Sequence, residues 1–325
     1  MSITFTRAGL QTSIQDSGRP GQMHYGIPLG GAADVLSMKL ANLLLGNPLN
    51  NPVLEITLIG PRIEFDCDIS IVITGAQFKV FLNKNPVDNF KTIQVEHGDI
   101  LDFSKLNSGA RSYIGFSAKI SVPRILKSAA THLISNFGGR NNGAIKDGDT
   151  LYFENSRIAK NRQLEQRYQP IYTTHPQLRV VDGPERNTFT QETIENFFNT
   201  TYDISAQSNR MGIRLTPSIT PTSGVQTETS EQMISSGLLQ GSIQIPPNGE
   251  PIISFIEGQT IGGYPRIANV IRADLHRLGQ LKARDRVNFQ IVSLAQANRI
   301  LREKQHFLEQ VQERIATETK EALTL

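Results

Sequence analysis

The side chains in this sequence that could bind and polarise a small molecule sit beside glycine turns. In Gln259-Thr260-Ile261-Gly262-Gly263-Tyr264-Pro265, an amide, a hydroxyl and a phenol flank a glycine pair. Glycine permits φ > 0 and lets the backbone pass close to another group. Gln244, in Gly241-Ser242-Ile243-Gln244-Ile245-Pro246, adds a second neutral amide. Arg210 and Arg214 stand four apart around Met211-Gly212 and form a candidate anion grip, because a guanidinium meets a carboxylate or phosphate through two parallel bonds. In the first half, Asp16 and Arg19 flank Gly18, so one short loop carries an acid and a cation. Glu55 alternates with Leu54, Ile56 and Leu58. Facing a barrel mouth, it would be a candidate base or ligand anchor. Asn42 lies off the leucine stripe of its predicted helix and could donate to a substrate carbonyl. Asp274 falls among Ile267, Ile271, Leu275 and Leu278, on one face of a helix predicted from Pro265 to Gly279. A carboxylate there must be paired, hydrogen-bonded or protonated. Asp16, Glu55 and Asp274 are therefore the catalytic candidates. Arg19, Asn42, Arg210, Arg214, Gln244, Gln259, Thr260 and Tyr264 are the candidates for binding substrate.

Other chemistry has no sequence support. There is no Gly-x-x-x-x-Gly-Lys-Ser/Thr loop for a nucleotide, no Gly-x-Ser-x-Gly elbow and no His-Glu-x-x-His. The six histidines show no ligand spacing and Cys67 is the only cysteine, so no metal site is predicted. One cysteine cannot close an internal disulfide, which fits a reducing compartment. Ser37-Met38-Lys39-Leu40 has a faint likeness to a biotin-attachment motif. Biotinylation needs an exposed hairpin tip and Lys39 sits in an amphipathic helix, so no biotin attachment is expected. The net charge of +3 is small and the basic residues are scattered, which argues against a nucleic-acid footprint. No apolar run approaches a membrane span. The segment Met1–Arg7 lacks the apolar stretch of a signal peptide. A cytoplasmic protein is expected.

The elements that must position these residues read as mostly β. Short alternating runs (Leu54 to Leu58, Ile69 to Ile73, Phe78 to Leu82) are separated by Gly, Pro and Asn turns. Helices are predicted from about Asp34 to Leu45, stopped by Gly46, near Thr190 to Phe198, and from Pro265 to Gly279. Gly98-Asp99-Ile100-Leu101-Asp102-Phe103 is echoed by Gly148-Asp149-Thr150-Leu151-Tyr152-Phe153 and, more weakly, by Arg284-Asp285-Arg286-Val287-Asn288-Phe289. The echo suggests two related halves, 1–160 and 178–293, joined by a polar linker, 161–177. From residue 294 to 325 a tail repeats Leu294, Leu301, Leu308 and Ile315 every seventh position. It reads as an amphipathic helix with a seam broken by Lys304, better suited to packing on its own chain than to a coiled coil.

Several motifs in order give a family resemblance. Gly9-Leu10-Gln11-Thr12-Ser13-Ile14-Gln15-Asp16-Ser17-Gly18-Arg19, Gly30-Gly31-Ala32-Ala33-Asp34, Ala41-Asn42-Leu43-Leu44-Leu45-Gly46-Asn47, Leu54-Glu55, Gly60-Pro61, Ser208-Asn209-Arg210-Met211-Gly212-Ile213-Arg214-Leu215 and Gln259 to Pro265 are similar to the allophanate hydrolase subunit 2 family. That family includes the C subunit of bacterial ATP-dependent 5-oxoprolinase and a region of urea carboxylase. The resemblance implies two tandem cyclophilin-like β-barrel domains. It also implies a place in a complex with A-like and B-like partner subunits that opens the cyclic amide 5-oxoproline, with ATP used at the level of the complex. The alternatives are a carboxyltransferase component for urea or a related amide, and a non-catalytic regulator of a kinase inhibitor. In every enzymatic case the substrate is a small, unreactive amide whose oxygen fixed donors would polarise. Departures from the family pattern are Ala118-Lys119 in place of a glycine pair, Lys127-Ser128-Ala129-Ala130-Thr131, and Ser236 where Glu is common. The candidate residues of both halves are expected to converge on a cleft shared with the B-like partner.

Overall fold

The structure, a computed structural model, describes residues 1–219 and 233–321. Contacts divide the chain into two units. The first comprises Met1–Arg19, Gly30–Tyr172 and the chain from Gln305. The second comprises Pro20–Leu29 and Thr173–Lys304. No helix among the described residues is long and apolar enough to cross a membrane.

The first unit is built on one ten-stranded sheet. Its strands are β1 (Ser2–Arg7), β2 (Gln11–Gln15), β3 (Val53–Thr57), β4 (Arg62–Phe65), β5 (Ile69–Leu82), β6 (Asn85–Val87), β7 (Thr92–Val95), β8 (Ile100–Phe116), β9 (Lys119–Ile120) and β10 (Thr150–Glu154). The alternating runs expected as separate strands over 69–82 are one continuous strand, β5. It pairs antiparallel with β8 through a ladder with three register shifts. Such shifts add twist and let a long pair bend around a core. Ile3, Phe5, Ile14, Ile56, Ile73, Ile114 and Phe116 fill that core and are fully buried, at roughly 1.5–3 kcal/mol of hydrophobic stabilisation each.

Helix α1 (Val35–Leu45) begins where Asp34 accepts the Ser37 N–H at 3.0 Å and ends at Gly46. It is buried on nearly every side: Leu40 and Leu44 pack with Phe90 and Leu164, and Met38 packs with Val53 and Tyr113. The segment 161–177 is not a free spacer throughout. Leu164 is buried, and the Tyr172 hydroxyl donates to Asp34 at 2.6 Å.

The second unit closes seven strands into a barrel, in the order β11 (Gln177–Asp182), β18 (Arg266–Val270), β15 (Ser242–Gln244), β16 (Ile252–Ser254), β13 (Gly212–Thr216), β12 (Tyr202–Ile204) and β19 (Arg286–Ile291). Closure comes from the parallel pairing of β11 with β19. Every other barrel pair is antiparallel. A two-stranded ribbon, β14 (Ser236–Gly237) with β17 (Ile261–Gly262), stands beside it. Helix α2 (Gln191–Asn199), capped by Thr190, stacks Phe197 on Phe289 with centroids 4.8 Å apart.

The long helix expected over 265–279 does not form. Arg266–Val270 is barrel strand β18, and only Leu275–Leu278 is helical, as α3. The spacing of Ile267, Ile271 and Leu275 imitates a helical face. However, Ile267 and Ala268 are both wholly buried between β11 and β15, and sheet pairing overrides so short a periodic signal. Asp274 is therefore not on a helical stripe. It sits just before α3, where its carboxylate accepts the backbone N–H of Arg179 at 3.1 Å and the Arg179 guanidinium at 2.9 and 2.5 Å. The expectation of a buried, paired carboxylate holds, for a different geometric reason. Helix α4 (Leu294–Glu321) fills the tail. Val311 and Ile315 join the apolar cluster around α1, whereas Leu294 is 70% exposed.

The three echoed motifs make the same turn. Asp99, Asp149 and Asp285 each donate their N–H to the carbonyl three residues back and accept that residue's N–H on the carboxylate. The residue before the aspartate is left-handed in all three: Gly98 at φ 90°, Gly148 at 85° and Arg284 at 74°. Arg284 is the strained copy. Left-handed backbone costs a residue with Cβ about 1–2 kcal/mol, against roughly 0.5–1 kcal/mol for the added freedom of glycine when unfolded. Arg284→Gly is therefore expected to raise stability by roughly 0.5 kcal/mol, read by denaturant midpoint. A lowered midpoint would contradict this account.

The Asp274 pair gives the second expectation. Burial pushes the Asp274 carboxyl up, but the Arg179 hydrogen bonds and the charges of Arg179 and Arg277 outweigh it and hold the group below its ordinary 3.8. A lowered folded value means that this stability is present above about pH 4 and is lost as pH falls through the lowered value. Asp274→Ala should cost about 2–4 kcal/mol at pH 7, less than a fully buried pair because the Arg179 side chain is 30% exposed. The deficit relative to the parent should shrink in melts below pH 4.

Candidate functional site

Four of the predicted residues surround one cavity in the second unit, of about 620 Å³. Strand β13 supplies Arg214. Its neighbours Ile213 and Leu215 point into the core, so the two-residue period of the strand sends Arg214 outward. Its backbone is fixed, with N–H to Ser208 Oγ at 3.0 Å and its carbonyl accepting from Ser205. Its guanidinium has no hydrogen bond or ion pair among the described residues. Strand β15 ends in Gln244, whose Nε2 donates to the Tyr264 carbonyl at 3.3 Å. Gln259 and Tyr264 enter from either side of β17, both exposed. The described lining is otherwise neutral, with Asn209, Asn248 and Ser254 and no acidic side chain. One uncompensated cation among neutral donors and acceptors suits a small molecule with one anionic group and a polar, uncharged remainder.

Thr260 and Arg210 do not line this cavity. Thr260 is at the edge of burial, and its carbonyl accepts the Leu238 N–H. Arg210 is buried with Glu257, Nε to Oε1 at 2.5 Å. The proposed two-arginine grip therefore reduces to Arg214. The cause is the bend at Arg210-Met211, just before β13: Arg210 is committed to the interior, while Arg214 is on the strand's outer face.

The first-half candidates are all interior to their own unit. Asp16 and Arg19 do not pair with each other. The Asp16 carboxylate accepts the N–H groups of Gly18 and Ala129 and the Ser128 hydroxyl. Arg19, fully buried, donates to the carbonyls of Ile125 and Ala130 and lies over the Phe137 ring. Together they pin the segment around 125–130 to the first loop. Asn42 is also fully buried. It donates to the Asn51 carbonyl at 2.8 Å and accepts from Asn47, so it holds the turn after α1 and has nothing left for a substrate.

Glu55 does not face solvent or an open barrel mouth, because every residue of β3 is buried. It accepts from the Ala33 N–H and the Tyr113 hydroxyl, with Arg111 at 3.5 Å. Tyr113 is held well above its ordinary value of 10.0 by burial and by the charges of Glu55 and Asp34, so it stays a neutral donor. Tyr113 and Tyr172 were not singled out from the sequence, and Asp34 stood inside a quoted motif without a site role, because nothing in their spacing tells of a network that joins positions 34, 55, 113 and 172. Lys39 lies mid-way along α1 and is half-buried. Of the cavity residues that the reading missed, Asn209 stood inside a quoted motif, whereas Asn248 and Ser254 carried no local signal. None of Asp16, Glu55 and Asp274 lines the cavity.

These placements separate scaffold from site. Asn42→Ala should cost about 1–3 kcal/mol by stranding buried partners, and Arg19→Ala at least as much, both read by denaturant titration. Neither should alter ligand affinity at the barrel cavity. A variant of either that melts like the parent yet loses binding would overturn the assignment.

Comparison with known proteins agrees with this architecture. Residues 25–291 match the carboxyltransferase domain, subdomain A and B. The chain is 35% identical to the 5-oxoprolinase C subunit of Escherichia coli over 97% of this chain and 99% of that protein. It is 32% identical to the corresponding Haemophilus influenzae protein over 93% and 94%. It is 32% identical to Saccharomyces cerevisiae urea amidolyase over 94% of this chain but 17% of that one. Among solved structures, Kluyveromyces lactis urea amidolyase superposes with a TM-score of 0.89 at 28% identity, covering 95% of this chain and 20% of that one. With the match spanning both β units, the chain belongs to the carboxyltransferase domain family, subdomains A and B.

Proposed function

We propose that this chain acts as the C subunit of an ATP-dependent 5-oxoprolinase, with the barrel cavity of its second unit receiving the substrate. The observation that carries the reading is Arg214, an uncompensated cation among neutral hydrogen-bonding groups. 5-Oxoproline has one carboxylate for the guanidinium and one amide for the neutral groups. Urea, the substrate of the rival reading, has no charge to match Arg214. The near full-length similarity to two 5-oxoprolinase C subunits supports the same choice.

The cavity polarises rather than attacks. Tyr264, Gln259 and Asn209 are donors able to stabilise negative charge developing on an amide oxygen. No carboxylate or histidine lines it among the described residues, so a general base must come from elsewhere, and we assign it to a partner protein of the complex. The donor set does not fit a magnesium nucleotide either. The sequence has no phosphate-cradling loop, and no group of three or more His, Cys, Asp or Glu among the described residues could hold a metal ion. No step through ATP is therefore assigned to this chain, and its use stays at the level of the complex.

Co-expression with A-like and B-like partners, followed by an assay of ATP-dependent glutamate formation from 5-oxoproline, tests this reading. The complex should turn over and the single chain should not. Arg214→Ala should raise KM for 5-oxoproline about tenfold or more, the loss of one charge-assisted hydrogen bond, with an unchanged melting temperature. Robust turnover by the single chain, or an Arg214→Ala complex with the parent KM, would overturn the assignment. ATP-dependent carboxylation of urea by the complex would favour the rival.

A further inference from the structure

We propose that Gln244 reads the N–H of the ligand, so that the cavity selects an amide over an ester or ketone of the same shape. The inference rests on the preceding reading of the cavity as a site for a small carboxylate-bearing amide.

The position of Gln244 is fixed on both sides. Its backbone pairs with Ile252 on β16 and Arg266 on β18, and the residue is only 8% exposed. The Nε2 group donates to the Tyr264 carbonyl. Turning the amide over would set two acceptors, Oε1 and that carbonyl, face to face, so the orientation is chemically determined. Gly262 leaves the room this needs. A Cβ there would lie 2.6 Å from Nε2 and 3.4 Å from the amide carbon, so a side chain would push the amide out of place.

With one N–H of its amide held by the Tyr264 carbonyl and the flipped orientation excluded, Gln244 offers the cavity its Oε1 as an acceptor beside one remaining N–H. Oε1 meets no protein donor among the described residues, and it is not one of the sealed polar atoms of the interior. An amide N–H satisfies it. An ester oxygen in that place opposes lone pair to lone pair, and a methylene leaves the acceptor stranded. Sites that hydrogen-bond a substrate N–H reject analogues lacking it far more strongly than apolar pockets reject a changed methylene. Arg214 sets charge preference and Gln244 sets amide preference, so the two residues select for different parts of one ligand.

The test uses the assembled complex. KM for 5-oxoproline is compared with competitive inhibition constants for two analogues of the same outline. One is the lactone 5-oxotetrahydrofuran-2-carboxylate, the other the carbocycle 3-oxocyclopentane-1-carboxylate. The parent should bind both roughly tenfold to a hundredfold more weakly than 5-oxoproline. Gln244→Met keeps the length and loses the acceptor. It should weaken 5-oxoproline to the level of the analogues while shifting the analogues less than about twofold. Gly262→Ala displaces the amide without removing it, at a residue whose φ is not left-handed, and should narrow the ratio in the same direction. It decides the matter if Gln244→Met melts early. A parent complex that binds 5-oxoproline and both analogues equally, or variants that keep the parent's ratio, would overturn the role of Gln244 and leave the function standing. A parent complex with no activity on 5-oxoproline would overturn both.

Discussion

A charge taken out of water must be matched, and that constraint shapes most of this protein. Asp16, Arg19, Glu55, Arg210, Glu257 and Asp274 are all buried. An unmatched ion in such surroundings costs several kcal/mol, so each is tied to an oppositely charged side chain, a backbone group or a hydroxyl. The ties join segments far apart in sequence. Asp274 binds a residue 95 positions earlier, and Asp16 holds a backbone N–H 113 positions later. Charged residues thereby become the fastenings of irregular loops, which have no ladder of their own to satisfy them.

The same constraint leaves the barrel cavity nearly neutral. Once the carboxylates and Arg210 are committed, Arg214 is the cation that remains on the lining, because strand alternation turns it outward where its neighbours turn in. A lone cation in a neutral cavity can discriminate by charge without supplying a proton acceptor. Under the function proposed above, that division would let this chain hold the substrate while the proton acceptor comes from another protein of the complex.

Repetition adds economy to the design. The turn at Asp99, Asp149 and Asp285 starts three different strands with one set of bonds, in both units. Its aspartate satisfies the donor of the turn and its left-handed residue reverses the chain.

Much of this was legible in the sequence. Period-two alternation gave β3 and the two ends of β5, Gly46 gave the stop of α1, and ordered motifs gave the family. These signals are local, since capping and pleating act between residues a few positions apart. Asp274 was readable as buried and paired because an acid among isoleucines and leucines must be paired wherever it lies. Its partner, Arg179, was not readable, nor was the strand hidden in 266–270, because sheet pairing is decided by chain segments distant in sequence. The functional assignments divide in the same way. Residue type marked Arg210 and Arg214, Asn42 and Gln244 as equally able to bind a ligand. Only the tertiary structure, by sending Arg214 and Gln244 to a cavity and Arg210 and Asn42 to internal partners, decided which of them could, because a hydrogen-bonding group has no preference between substrate and scaffold until the fold sets one beside it.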